Sequence, residues 1–79
     1  MSETKAIKYI IRKYGVSRSV AEAMLLDNVI DIKAVRNTLI REDFARLYRN
    51  PVHKVTQIYY HLAAEYDVSF PHVRFLINK

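Results

Sequence analysis

Cysteine is absent from the 79 residues, which excludes disulfide staples and thiolate metal sites and fits a reducing compartment. One glycine and two prolines leave little material for hairpin turns, and both prolines stand beside helix-start signals, so the expected class is all-α. No apolar run approaches the roughly 18 residues of a membrane span. The opening MSETKAIK lacks the apolar segment of a signal peptide. A soluble, cytoplasmic protein with no membrane partner is expected. A cysteine nucleophile, a glycine-rich phosphate loop and an H-E-x-x-H zinc helix are all missing, so no enzyme and no cofactor are expected.

What is present is apolar and basic. Apolar residues make up 51% and charged residues 27%, the balance of a globular chain, and the length suits one domain over 1–79. The net charge is +5, compatible with a polyanionic partner or with solubility alone. Residues 1–26 hold Lys5, Lys8, Arg12, Lys13 and Arg18 against Glu3 and Glu22. The N-terminal third is therefore the basic end.

Along the chain, Ser2 or Thr4 is placed to cap a first helix near Glu3. Ala6, Ile7, Ile10, Ile11 and Tyr14 recur at helical spacing, with Lys5, Lys8, Arg12 and Lys13 on the other face. Gly15 stands where a helix end needs left-handed backbone. Val16 plugs the turn, and Ser17 caps a second helix to about Leu26 with Val20, Ala23, Met24 and Leu26 inward. Asp31 is the N-cap of a long central helix over 31–49. Its apolar stripe is Ile32, Val35, Leu39, Ile40, Phe44, Leu47 and Tyr48. It is expected to run continuous or kinked, the alternative being a break near Arg41, where Glu42 and Asp43 suit the solvated first turn of a new helix. Asn50-Pro51 reads as a stop and restart, asparagine as cap and proline as first helical residue. Val55, Ile58, Leu62, Ala63 and Tyr66 then face the core. Phe70-Pro71 opens the last helix.

The stretch His61–Ile77, HLAAEYDVSFPHVRFLI, reads as two short helices around a tight turn. Leu62 and Ala63 lie on the first, Val68 plugs the turn, Ser69 caps the second, and Val73 and Leu76 lie on it. This spacing resembles the helix-turn-helix of bacterial and phage DNA-binding proteins. One departure is Asp67, at the turn position that is usually glycine in that family; aspartate tolerates left-handed backbone better than most residues. Tyr14-Gly15-Val16-Ser17 and Tyr66-Asp67-Val68-Ser69 are the same turn 52 positions apart. Ile10 corresponds to Leu62, Ala21 to Val73 and Met24 to Leu76. The repeat is either a duplication or two uses of one good helix-stop, plug and cap. In the N-terminal copy Ile11 takes the slot of Ala63, and a branched side chain there is expected to push the helices apart. The expected architecture is thus a four- or five-helix domain. It comprises an N-terminal unit over 5–26, the central helix, and a C-terminal helix-turn-helix over 52–77.

The resemblance implies a small transcriptional regulator or accessory factor that binds double-stranded DNA, commonly as a homodimer, with the start of each second helix entering the major groove. The C-terminal candidates are Ser69, Phe70, Pro71, His72 and Arg74, with Lys79 as a further basic group at the end of that helix. Phe70 and Phe75 either touch thymine methyls or pack against the long helix or a dimer partner. The N-terminal candidates are Ser17, Arg18, Ser19 and Glu22, with Arg12 and Lys13 for phosphates; the alternative for these is a solvated helix face. Six tyrosines and three phenylalanines exceed what so small a core needs. Tyr59, Tyr60 and Phe75 are therefore candidates for a dimer or protein-partner surface. His61 and Glu65 share a helix face, but a metal site needs three or four ligands, so His53 and His72 would have to converge with them. No metal site is expected. The alternative function is a helical protein-interaction module with no nucleic-acid binding.

Overall fold

The computed structural model describes residues 3–78, with Glu3 by its backbone alone. Among them stand five helices and no strand: α1 Glu3–Tyr14, α2 Arg18–Leu26, α3 Ile32–Tyr48, α4 Val55–Tyr66 and α5 Phe70–Asn78. The protein is all-α, as its composition implies. Two expectations, the Ser2 cap and the Lys79 contact, lie outside the described residues; Thr4, the other candidate cap, falls within α1. The chain divides into two compact units, Met1–Arg36 and Asn37–Lys79. The dividing point falls inside α3, which is a single helix without a break at Arg41.

In the first unit α1 packs on α2. Ala6, Ile7 and Ile10 are buried, each a few angular steps apart on one face of α1. Gly15 ends the helix with φ +63°, and its N–H donates to the Ile11 carbonyl at 2.9 Å, a left-handed stop that costs glycine nothing. Ser17 then caps α2, its Oγ accepting from the Val20 N–H at 3.2 Å. The cap fixes the phase of α2, and that phase differs from the expected one. Ala21 is fully buried and Met24 and Leu25 are half-buried, whereas Val20, Ala23 and Leu26 are exposed. Tyr14, expected in the core, is 48% exposed, and Tyr9 is buried instead. Ile11 does not drive the helices apart; it is half-buried beside a pair that stays in contact. Asn28 closes α2 with φ 55°, the Val29 N–H donating to Met24 O and the Asn28 N–H to Leu25 O, a Schellman pattern with asparagine in the glycine position.

Asp31 caps α3 as expected, its Oδ1 accepting from the Lys33 N–H at 2.9 Å. Val35, Leu39 and Ile40 are buried, but Ile32 and Tyr48 at the ends of the stripe are exposed. Asn50-Pro51 does not begin a helix. Asn50 Oδ1 accepts from the Val52 N–H and Asn50 O from the His53 N–H, at 3.0 and 3.1 Å. This is a turn with asparagine first and proline second, a placement that suits proline's fixed φ as well as a helix start does. α4 therefore begins at Val55, which is exposed rather than inward.

In the second unit α4 packs on α5. Ile58, Leu62, Tyr66, Val73 and Leu76 are buried, each apolar side chain of that size contributing about 1.5–3 kcal/mol. Asp67 takes φ 54°, ψ 48°, and Val68 N–H reaches back to Ala63 O at 3.0 Å, so the turn forms without glycine. Ser69 caps α5, its Oγ accepting from the His72 N–H at 3.2 Å. Asp43 of α3 accepts a hydrogen bond from the buried Tyr66 hydroxyl and a 3.5 Å contact from Arg46. It is therefore mostly enclosed rather than the solvated first-turn residue expected. Arg41 Nε points to Leu76 O at 3.5 Å, a cation at the last turn of α5 where the helix dipole favours one.

Candidate nucleic-acid interface

The sequence nominates the same positions after each left-handed turn, and the two units fill them differently. After Gly15, Ser17 is committed to its capping role, while Arg18 and Ser19 are exposed in the first turn of α2. Arg18 Nε meets Glu22 Oε1 at 3.0 Å, with 66% and 53% of the two side chains exposed. Ser19 and Ala23 lie four residues apart, so they share one outward stripe, and both are exposed. The outer surface of α2 is thus small at its start, with Ser19 and Ala23, apolar at Val20 and at its end, where Leu26 is 82% exposed, and charged along the flank of Arg18 and Glu22.

The basic end of α1 stands just before this helix. Arg12 and Lys13 occupy its last turn, both exposed. Tyr9 organises them. The Arg12 guanidinium lies 5.5 Å from the Tyr9 ring centre, and Lys13 Nζ donates to the Tyr9 hydroxyl at 3.1 Å. Lys13 Nζ also lies 5.6 Å from the Tyr14 ring. Cation–π contacts of this kind hold long side chains in place while leaving their charge toward solvent. Tyr9 was not among the sequence candidates, although its i,i+4 spacing from Lys13 was a readable signal.

After Asp67 the equivalents of Arg18 and Val20, Phe70 and His72, are half-buried, while Ser69, Pro71 and Arg74 stay exposed. Phe70 lies edge-on to Tyr59 at 5.5 Å and tilted on Tyr60 at 4.5 Å. Tyr59 stacks on Phe44, which stacks on Tyr48. Tyr59 is buried, and its hydroxyl accepts from Asn78 Nδ2 at 3.3 Å. Of the three residues nominated for an association surface, only Tyr60 and Phe75 are exposed. Phe70, expected at thymine methyls, the long helix or a dimer partner, packs instead on Tyr59 and Tyr60 of α4. His72 is half-buried with Nε2 3.3 Å from Asn37 Oδ1. Ser69 is used as a cap, which leaves Arg74 as the exposed polar candidate. Its neighbours around a shallow recess are Pro71, Phe75 and Asn78.

Among the described residues no three histidine, cysteine or carboxylate side chains gather as metal ligands; His61 pairs with Glu65 at 3.4 Å. No described helix is long and apolar enough to cross a membrane. No protein family, curated protein or solved structure matches this chain.

Proposed function

We propose that the chain binds double-stranded DNA through its N-terminal helix pair, as a small regulator or accessory factor of helix-turn-helix type, without catalysis. The observation that carries this reading is the start of the outer stripe of α2, where Ser19 and Ala23 are small and exposed before the stripe ends in the exposed Leu26. Small exposed groups let a helix seat closely in the major groove, which admits an α-helix, while longer polar side chains beside them reach phosphates and base edges. Arg18 on α2 and Arg12 and Lys13 at the end of α1 are the flanking cations. The corresponding stripe of α5 is Pro71 and Phe75, and Phe75 is 63% exposed; its ring would hold that helix away from the bases.

Titration of the full chain with mixed-sequence duplex across a salt series tests the reading. Micromolar-scale binding that weakens steeply with salt is expected. Arg18→Ala should lose about 1–3 kcal/mol of binding free energy, and Arg74→Ala much less. No binding at low salt would sink the proposal; a larger loss at Arg74 would move the reading helix to α5.

A second reading, association with protein, draws on Leu26 and Val29, three residues apart and 82% and 67% exposed, since exposed apolar groups that form a contiguous patch mark a partner surface. Homodimer formation through Tyr60 and Phe75 belongs with it. A monomeric mass by light scattering at high micromolar concentration removes the homodimer.

A further inference from the structure

Arg18 and Glu22 are the only charged residues of α2, and they meet through one contact, Nε to Oε1 at 3.0 Å, with more than half of each side chain in solvent. An ion pair so exposed adds little to folding, because water and salt screen it and two long side chains must be held still. Glu22 also opposes a polyanion, since it places a negative charge on the flank of α2 beside Arg18, where both line a recess with Thr4, Ile7 and Leu25. At the equivalent position of the second unit the residue is Arg74. A carboxylate that adds little to the fold and weakens general attraction to DNA needs another use.

A carboxylate only accepts hydrogen bonds. In the major groove the donors are the amino groups of cytosine N4 and adenine N6. Adenine sets its N7 acceptor beside that donor, and an ionised carboxylate is repelled by it; cytosine has no such neighbour on its own edge. Along the helix Glu22 stands four residues, about 6 Å, beyond Arg18, enough to reach a different base pair. We infer that Glu22 is a specificity-determining residue, its carboxylate accepting from cytosine N4 once Arg18 has left it for a guanine or a phosphate. This inference rests on the reading of α2 as the groove helix. Glu22 then acts twice, by rewarding one base and by penalising sequences where it meets no donor, which is discrimination through repulsion as well as attraction.

The test is enrichment of duplexes from a randomised library by the full chain, its Glu22→Gln form and its Arg18→Ala form, with affinity for mixed-sequence duplex measured beside it at one salt concentration. The wild-type pool should fix a cytosine at one position, favoured about tenfold over other bases. Arg18→Ala should keep that cytosine while binding more weakly. Glu22→Gln should bind mixed sequence several-fold more tightly and exchange the cytosine for adenine, which an amide reads through N6 and N7. A wild-type pool without a fixed cytosine overturns the inference, and so does a Glu22→Gln pool identical to wild type. Loss of the cytosine in Arg18→Ala also overturns it, since Glu22 would then act only by holding the arginine. Absence of any wild-type binding overturns the groove-helix reading beneath it, a separate result.

Discussion

Aligned at Gly15 and Asp67, 52 positions apart, the two helix pairs share four enclosed positions and part at the tyrosines, since Tyr66 is buried where Tyr14 is exposed and Tyr9 is buried where His61 is exposed. Ala6 and Ile58, Ile7 and Tyr59, Ile10 and Leu62, and Ala21 and Val73 are all buried. Both turns are left-handed and both second helices start on a capping serine. Ile11 with Ala21 in one pair is answered by Ala63 with Val73 in the other. The larger side chain has changed helices while the summed volume is roughly kept, the kind of exchange that cores tolerate. Outside the core the pairs diverge. Arg18, Ser19, Val20 and Ala23 face solvent, but Phe70 and His72 at the matching positions pack within their own unit. One backbone design therefore serves a second helix that is exposed through its first turn in the first unit and one whose first turn is partly enclosed in the second.

The comparison can be broken most strongly at the core. Ile10→Ala and Leu62→Ala, both at fully buried positions, should each cost about 2–5 kcal/mol in urea unfolding. A loss below about 1 kcal/mol at either site would mean that the two positions are not equivalent.

A sharper difference is expected at the paired tyrosines. Tyr66 is 1% exposed and hydrogen-bonded to Asp43, so Tyr66→Phe leaves a mostly enclosed carboxylate short of a donor and should cost about 1.5–3 kcal/mol. Tyr14→Phe should change stability by less than about 0.5 kcal/mol. Equal effects in thermal unfolding would show that the Asp43 contact does not distinguish the units.

The smallest effects fall at the turns. Asp67→Gly removes a side chain from left-handed backbone and should stabilise by about 0.5–1 kcal/mol. Gly15→Ala should destabilise by about 1 kcal/mol, and by backbone strain alone, since a Cβ there meets nothing within 4 Å. Shifts of the same sign at both turns would contradict their common geometry.

Much of this fold was legible in the residues because turns and caps are local. A lone glycine after a basic helix end, a serine two residues later and aspartate before Ile32 each act through bonds to backbone a few positions away. No distant partner is needed to read them. Asn50-Pro51 misled for the same local reason, because the pair suits a turn and a helix start equally. The facing of α2 was not legible. Val20, Ala23 and Leu26 look as apolar as Ala21 and Leu25, and only packing on α1 chose among them.

The same division applies to function. Sequence alone determined the all-helical class, the two left-handed turns, the serine caps and the basic N-terminal third, since these follow from composition and short-range bonding. Tertiary structure decided which nominated side chains remain in solvent. It enclosed Tyr59 and Phe70, tied Tyr66 to Asp43 and left Arg18, Ser19, Glu22 and Ala23 outward. Burial depends on what neighbouring helices present, and residues far apart in the chain set that.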